Sequence, residues 1–313
     1  MRHLDGNARD NLSSCIAMII VTALAVMARF AVKLCRRQTP TGPDWMSMLS
    51  ACLFYANCGI IMNFILHTSL DGSFDLSPAR GPVQLKNILK MAYPVEIMFG
   101  FVISTVKLSI LWFYYMIFAS ANNIVNKRII IGTAAACVVW FFIATFVIVF
   151  QCNPIHAYWD TFVMPPYCHD TPHLLLGYEM TNLFLDIAIL SIPVPMVWKL
   201  QLEMSKKISL IAIFLLGAFV CVASIIRLTA IWNPPDVDKN FNFSGIMMWS
   251  TLQMGIAITC ACLPTLGPLL AVNTKVFLYL ASWTTSLWSR SGSQSGGRGQ
   301  KISDDFEMHG ISN

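Results

Sequence analysis

The stretch 177-GYEMTNLFLDIAILSIPVPMVWKLQLEMSKKISLIAIFLLGAFVCVASIIRLTAIW-232 decides the fold. It reads as two apolar helices joined by a short basic turn at 199–207, with Lys199, Lys206 and Lys207. Each helix has the length of a bilayer crossing, about 20 residues for a hydrocarbon core of about 30 Å. Each also carries polar groups that lipid disfavours, Glu179, Asn182 and Asp186 on the first and Arg227 on the second.

The rest of the chain supports a membrane reading. Of 313 residues 56% are hydrophobic and only 12% charged, and the mean hydropathy is +0.62, far from the soluble average. Only helices and closed barrels satisfy their backbone in lipid, and the helix-length apolar runs exclude a barrel. Seven spans are expected, near 14–34, 45–67, 94–118, 129–150, 174–198, 208–232 and 245–272. The fold class is therefore all-α, a polytopic seven-transmembrane-helix bundle, with domain boundaries of 1–272 for the bundle and 273–313 for a largely disordered tail. The first dozen residues are polar, and the apolar run after them is too long for a signal peptide and lacks a small-residue cleavage site. That run is expected to be the first span.

Orientation follows from the lysines and arginines in the loops. One side collects twelve, including Arg36, Arg37, Lys127, Arg128 and Lys206, whereas the other holds six, including Arg80, Lys86 and Lys239. The N-terminus is expected outside and the C-terminal tail in the cytosol, in the plasma membrane or an endomembrane. The net charge of +5 thus reflects membrane orientation, and no nucleic-acid signal is present. The bilayer is the first partner, and no cofactor is called for.

Several local features have a direct reading. Arg29 and Lys33, at the end of the first span, read as anchors whose stems reach water. Pro40, Gly42 and Pro43 signal the turn into the second span. Residues 68–93 read as the longest outer loop, with 83–91 as a short interfacial helix. Pro193 and Pro195 should end or kink the fifth helix. Most of the ten cysteines lie inside apolar spans as small buried hydrophobes, Cys260 and Cys262 among them. Cys152 and Cys168 flank an outer loop on the oxidising side, where a disulfide closing about 17 residues contributes ~3 kcal/mol in the loop-entropy account. Cys152, His156, Cys168, His169 and His173 also form a zinc-type ligand set, which the oxidising side disfavours, so no metal is expected. Asn242-Phe-Ser244 and Asn11-Leu-Ser13 are glycosylation sequons, and a glycan at Asn242 would fix the orientation.

Spacing organises the intramembrane charges. Glu179, Asn182 and Asp186 line one helical face. Glu96 and Lys107 on the third span are eleven residues apart, about three turns plus 20°, so they share a face and lie roughly 16 Å apart along the axis. The sixth helix runs back outward, which places Arg227 at the depth of Glu179 and leaves Lys107 at the depth of Asp186. Two charge layers are expected, Arg227 with Glu179 or Glu96 toward the outside and Lys107 with Asp186 at the midplane. Interhelical polar contacts contribute only about 0.6–2 kcal/mol, whereas inserting one charge costs about 3 kcal/mol. Ligand binding by Glu96, Lys107, Glu179, Asn182, Asp186 and Arg227 is the reading favoured over purely structural pairing.

Motifs in order along the chain strengthen this picture. Lys107-Leu-Ser-Ile-Leu-Trp-Phe-Tyr114, Gln151-Cys-Asn-Pro154 with Trp159-Asp160 and Cys168, Asn182 with Asp186 and Pro193, Leu216-Gly217 to Arg227-Leu228, and Cys262-Leu-Pro-Thr-Leu266 resemble the fungal rhodopsin-like seven-helix family. This is the satratoxin-cluster membrane-protein type, related to the fungal pathogenicity receptors that resemble G-protein-coupled receptors. The resemblance implies a fungal protein associated with a secondary-metabolite or mycotoxin gene cluster. It implies little biochemistry of its own. The seven spans, the outer disulfide, the basic inner loops and the intramembrane charges favour a receptor-like protein that binds a small amphipathic or hydrophobic molecule in the bundle. A cytosolic signalling partner is a further expectation. Two positions depart from the family pattern, Gln253 where an acidic residue is expected and Gly267 where a basic one is.

A microbial-type retinal pigment needs a Schiff-base lysine in the seventh helix, and 245–272 contain none, which argues against photoreception. The alternative is a membrane-embedded cyclase or isomerase in which Glu96, Glu179 or Asp186 acts as general acid on a hydrophobic metabolite. That chemistry requires a protonated carboxyl, and Lys107 or Arg227 beside it works against the role. A transporter is disfavoured by the odd number of spans and the absence of evident inverted repeats.

Overall fold

A computed structural model describes residues 6–68, 81–118, 124–160, 167–168, 171–195, 204–232, 245–263 and 265. The described residues form seven long helices: α1 Gly6–Cys35, α2 Gly42–Thr68, α3 Gly81–Phe118, α4 Ile124–Val149, α5 Thr171–Ser191, α6 Met204–Trp232 and α7 Gly245–Leu263. Six contain stretches long and apolar enough to cross a membrane, and α6 contributes the apolar segment Phe214–Thr229. The protein is thus an all-α, multi-pass membrane bundle. Asn242 and the tail 273–313 lie outside the described residues, as does the end of the expected seventh span.

The surface and the interior are inverted relative to a soluble protein. Phe142, Phe146, Phe184 and Leu215 are exposed, whereas Arg29, Lys107, Glu179, Asn182, Arg227 and Gln253 are buried. Lipid tails solvate the apolar exterior, so polar groups find partners only inside the bundle. The core joins Phe54 and Cys58 of α2, Phe99, Val102 and Ile103 of α3, and Met254 and Ile258 of α7. Helix α2 packs on α1 and α3, α3 on α4, and α5 on α6.

Local chemistry explains most helix ends. Cys35 closes α1, after which Arg37 adopts φ 52° while the Arg37 and Gln38 amides donate to the Leu34 and Lys33 carbonyls at 3.0 and 2.9 Å. This left-handed cap satisfies carbonyls that the last turn leaves open. Helix α2 starts with a reciprocal cap, in which the Thr41 amide and hydroxyl donate to Asp44 Oδ2 at 2.6 and 2.8 Å and the Asp44 amide donates to the Thr41 carbonyl at 2.9 Å. Helix α5 stops at Ser191, two residues before Pro193, because a proline disfavours helical backbone at the residue before it.

The sequence reading needs two corrections here. The segment 83–91, expected as a separate interfacial helix in a long loop, is the first part of α3, which runs unbroken through Pro94 for 38 residues. Pro94 removes one backbone hydrogen bond, yet Ala92 and Val95 on either side are buried in the core, and that packing holds the helix through the break. Helix α1 likewise begins at Gly6, well before residue 14, taking Asn11 into the helix.

The α5–α6 contact depends on one missing side chain. A Cβ at Gly217 would fall 3.1 Å from both Cγ and Cδ1 of Leu190 and nearer still to Cδ2. Gly217→Leu is expected to force the two helices apart, at a cost of about 1–3 kcal/mol typical of overpacking. Thermal unfolding in detergent should show a clear loss of Tm for Gly217→Leu and little change for Gly132→Leu, where a Cβ meets nothing within 4 Å.

Candidate functional site

The outer charge layer joins three helices through one guanidinium. Arg227 of α6 donates through Nη2 to both oxygens of Glu96 on α3, at 2.8 and 2.9 Å. Its Nη1 lies 2.9 Å from Oε1 of Glu179 on α5. The alternatives that the sequence left open are therefore both realised. The ring of Phe99 lies 4.2 Å from the guanidinium carbon, adding a cation–π contact in a water-poor site. Arg227 and Glu179 are buried, and Glu96 is the most exposed of the three.

The inner layer is centred on Lys107 of α3. Its Nζ donates to the backbone carbonyl and the Oδ1 of Asn182 at 3.0 and 2.6 Å, and lies 3.3 Å from Asp186 Oδ1. The ring of Trp140 on α4 sits 5.4 Å from the same ammonium. The Trp140 indole N–H donates to Thr181 Oγ1 at 2.8 Å, which fixes the ring against α5. The structure thus brings all six sequence-nominated residues together in two layers. Trp140 and Phe99 were not nominated, although Trp140 was legible as a lone indole in a span without charge.

Polar capacity is left over beside both layers. Glu179 Oε2, Asn182 Nδ2, Asp186 Oδ2 and the Tyr178 hydroxyl are buried without a hydrogen-bond partner among the described residues. Buried polar atoms of this kind usually meet water or a ligand. A cavity of about 40 Å³ adjoins the inner layer, lined by Lys107, Asp186, Tyr114, Ile103, Gly217 and Ala257. It has room for water but not for a metabolite of drug size, whose sites occupy roughly 300–1,000 Å³. Gln253 of α7 is fully buried and donates to Ser224 of α6 at 2.8 Å, a neutral link where the family pattern suggests an acid.

At the opposite end a third ionic cluster departs from expectation. Arg29 and Lys33 are not surface anchors: Arg29 is buried, its Nε donates to Asp44 Oδ1 at 2.7 Å, and its Nη1 donates to the Ala261 carbonyl. Lys33 pairs with Asp44 Oδ2 and donates to Thr41 Oγ1 at 2.8 Å. Asp44, the only acid in the α1–α2 turn region, was the overlooked signal. Its carboxylate draws both cations inward and ties α1 to α2, while Arg29 reaches on to α7.

Near Glu96 a disulfide closes a loop. Cys152 and Cys168 form the expected disulfide and face each other across a two-residue antiparallel pairing, so their sulfurs are not free to hold zinc. Between them, the rings of Tyr158 and Trp159 each lie 5.7 Å from Tyr93 of α3. Burial, with Glu96 and Tyr93 nearby, pushes the Tyr158 phenol up to about 12, so it stays neutral at physiological pH. Asn11 is buried in α1, and Cys260 and Cys262 are buried as packing residues.

A bundle of seven membrane helices with a polar, ion-paired interior and a disulfide-tied loop at one end defines a rhodopsin-like membrane protein. The chain belongs to the fungal rhodopsin domain family, which it matches over residues 28–272. It is similar to Receptor GIN3 of Arthrobotrys oligospora, 27% identical over 90% of this chain and 67% of that protein. It is also similar to Wortmanamides biosynthesis cluster protein C of Talaromyces wortmannii, 26% identical over 96% of this chain and 80% of the relative. Satratoxin biosynthesis SC1 cluster protein 4 of Stachybotrys chartarum is 27% identical over 60% of this chain and 66% of its own length. No solved structure matches.

The inner layer makes a specific prediction. Lys107→Met leaves Asp186 buried without its cation and is expected to cost about 3 kcal/mol or more, whereas Lys107→Met with Asp186→Leu removes both charges and recovers most of the loss. Thermal stability of the purified variants checks this, and equal damage from the single and double changes would contradict the pairing.

Proposed function

We propose that this chain is a receptor-like membrane component associated with a fungal secondary-metabolite, or mycotoxin, gene cluster, and that it binds a small amphipathic or hydrophobic molecule within the bundle. Glu96, Lys107, Glu179, Asn182, Asp186 and Arg227 supply the polar contacts in this reading. The observation that carries it is the set of unpartnered atoms beside the layers, Glu179 Oε2, Asn182 Nδ2 and Asp186 Oδ2. A ligand bearing a hydroxyl or carbonyl satisfies such atoms while its apolar part displaces lipid-like packing. Because the adjoining space is about 40 Å³, binding requires α5 and α6 to move relative to α3. That motion would couple occupancy to the ends of the helices.

The relatives named as wortmanamide and satratoxin cluster proteins support the association with metabolite clusters, and the relative named as a receptor supports the receptor-like role. In the same reading the N-terminus faces outward, Asn242 carries a glycan, and 273–313 form a cytosolic tail that reaches a signalling partner.

Gene deletion followed by metabolite profiling, then incubation of membranes containing this protein alone with any intermediate that accumulates, separates a receptor from an enzyme. A receptor changes metabolite levels while the membranes leave the intermediate unchanged. Conversion of the intermediate would overturn the receptor reading in favour of a membrane-embedded cyclase or isomerase.

A further inference from the structure

The end of the bundle that holds the α1–α2 turn contains a second cavity, of about 590 Å³, lined by Arg29, Lys33, Arg37, Thr41, Phe113 and Met116. It lies on different residues from the ligand site proposed above. Arg29 and Lys33 lie one turn apart on α1, and Arg37, just beyond the helix end, lines the same cavity. Asp44 pairs with Arg29 and Lys33, so the group, Arg37 included, carries a surplus of two positive charges.

Both oxygens of Asp44 are engaged. Its Oδ1 accepts from Arg29 and its Oδ2 accepts from Lys33 and twice from Thr41. The carboxylate therefore acts as a rear wall that orients Arg29 and Lys33 while leaving donors toward the cavity. Arg37 is exposed, and its guanidinium has no ion pair or hydrogen bond among the described residues. Its backbone already occupies the left-handed region that glycine favours, an uncommon position for a long basic residue.

The lining also selects the shape of the anion. Basic and hydroxyl groups form one wall, whereas Phe113 and the exposed Met116 of α3 form an apolar one. A carboxylate fills little of this space. A phosphate group suits it better, since guanidinium forks pair with phosphate oxygens in two-point fashion and basic pockets between membrane helices take phosphorylated headgroups.

We propose that this cavity is a binding site for a phosphate-bearing anion with several phosphate groups, delivered as a phosphoinositide headgroup or as a soluble inositol phosphate. Arg37 and Lys33 contact the phosphates, Arg29 and Asp44 form the fixed rear wall, and Phe113 with Met116 takes the apolar portion of a lipid. A site of this kind makes the state of the bundle responsive to the composition of one leaflet.

The test uses the full chain in detergent micelles, with three probes followed by thermophoresis: short-chain phosphatidylinositol bisphosphate, inositol trisphosphate and short-chain phosphatidylcholine. The bisphosphate should bind and phosphatidylcholine should not. Arg37→Gln should weaken binding about fivefold, the effect of one basic residue near an anionic surface. Arg37→Gly removes the same charge while easing the backbone, so it should weaken binding equally without loss of Tm. Binding of inositol trisphosphate at the same concentrations as the lipid identifies the soluble source, and binding of the lipid alone identifies the membrane source. Equal binding of phosphatidylcholine, or unchanged bisphosphate affinity in both Arg37 variants, would overturn the proposal.

Discussion

Arg227 is the charge on which the bundle's arrangement depends most visibly. A guanidinium inside lipid has no water to fall back on, so its partners must come from neighbouring helices, and it takes one carboxylate from α3 and another from α5. Once those contacts are made, the rotation of α3, α5 and α6 about their axes is constrained. The faces of α3 and α5 then carry Lys107, Asn182 and Asp186 together one layer deeper. Hydrophobic matching alone supplies no such register, because lipid tails are as apolar as the leucines and phenylalanines they contact.

Much of this could be read from the sequence because lipid makes polar residues rare and therefore informative. The depth of each charge followed from its distance to the helix ends, and matching depths between spans found Lys107 with Asp186 and Arg227 with Glu179. The disulfide and the stop before Pro193 were legible for similarly local reasons. Other features depended on packing that sequence does not encode locally. Arg29 reads as a snorkelling anchor until α2 folds back and brings Asp44 to it, and Pro94 reads as the start of the third span until burial of Ala92 and Val95 carries α3 through it. The left-handed Arg37 and the aromatic faces beneath Lys107 and Arg227 likewise appear only once the helices are placed.

The two ends of the bundle are built differently, and that difference bears on function. Near Glu96, the disulfide-tied segment places Tyr158 and Trp159 against Tyr93. At the other end, the Arg29, Lys33 and Asp44 cluster joins α1 and α2 to the backbone of α7. Between them lie the two layers with unpartnered carboxylate and amide atoms, the part of the interior least satisfied by the protein itself. A ligand that completes those atoms and a helix set that can shift around them are the elements a receptor-like bundle requires.

The central claim is that the intramembrane charges act as coupled pairs. A double-mutant cycle on Arg227→Met and Glu179→Leu, read by thermal unfolding of the purified protein in one detergent, tests it most directly. Coupling predicts that the double variant is less damaged than the sum of the two singles by about 1 kcal/mol or more. Strict additivity of the two changes would contradict it.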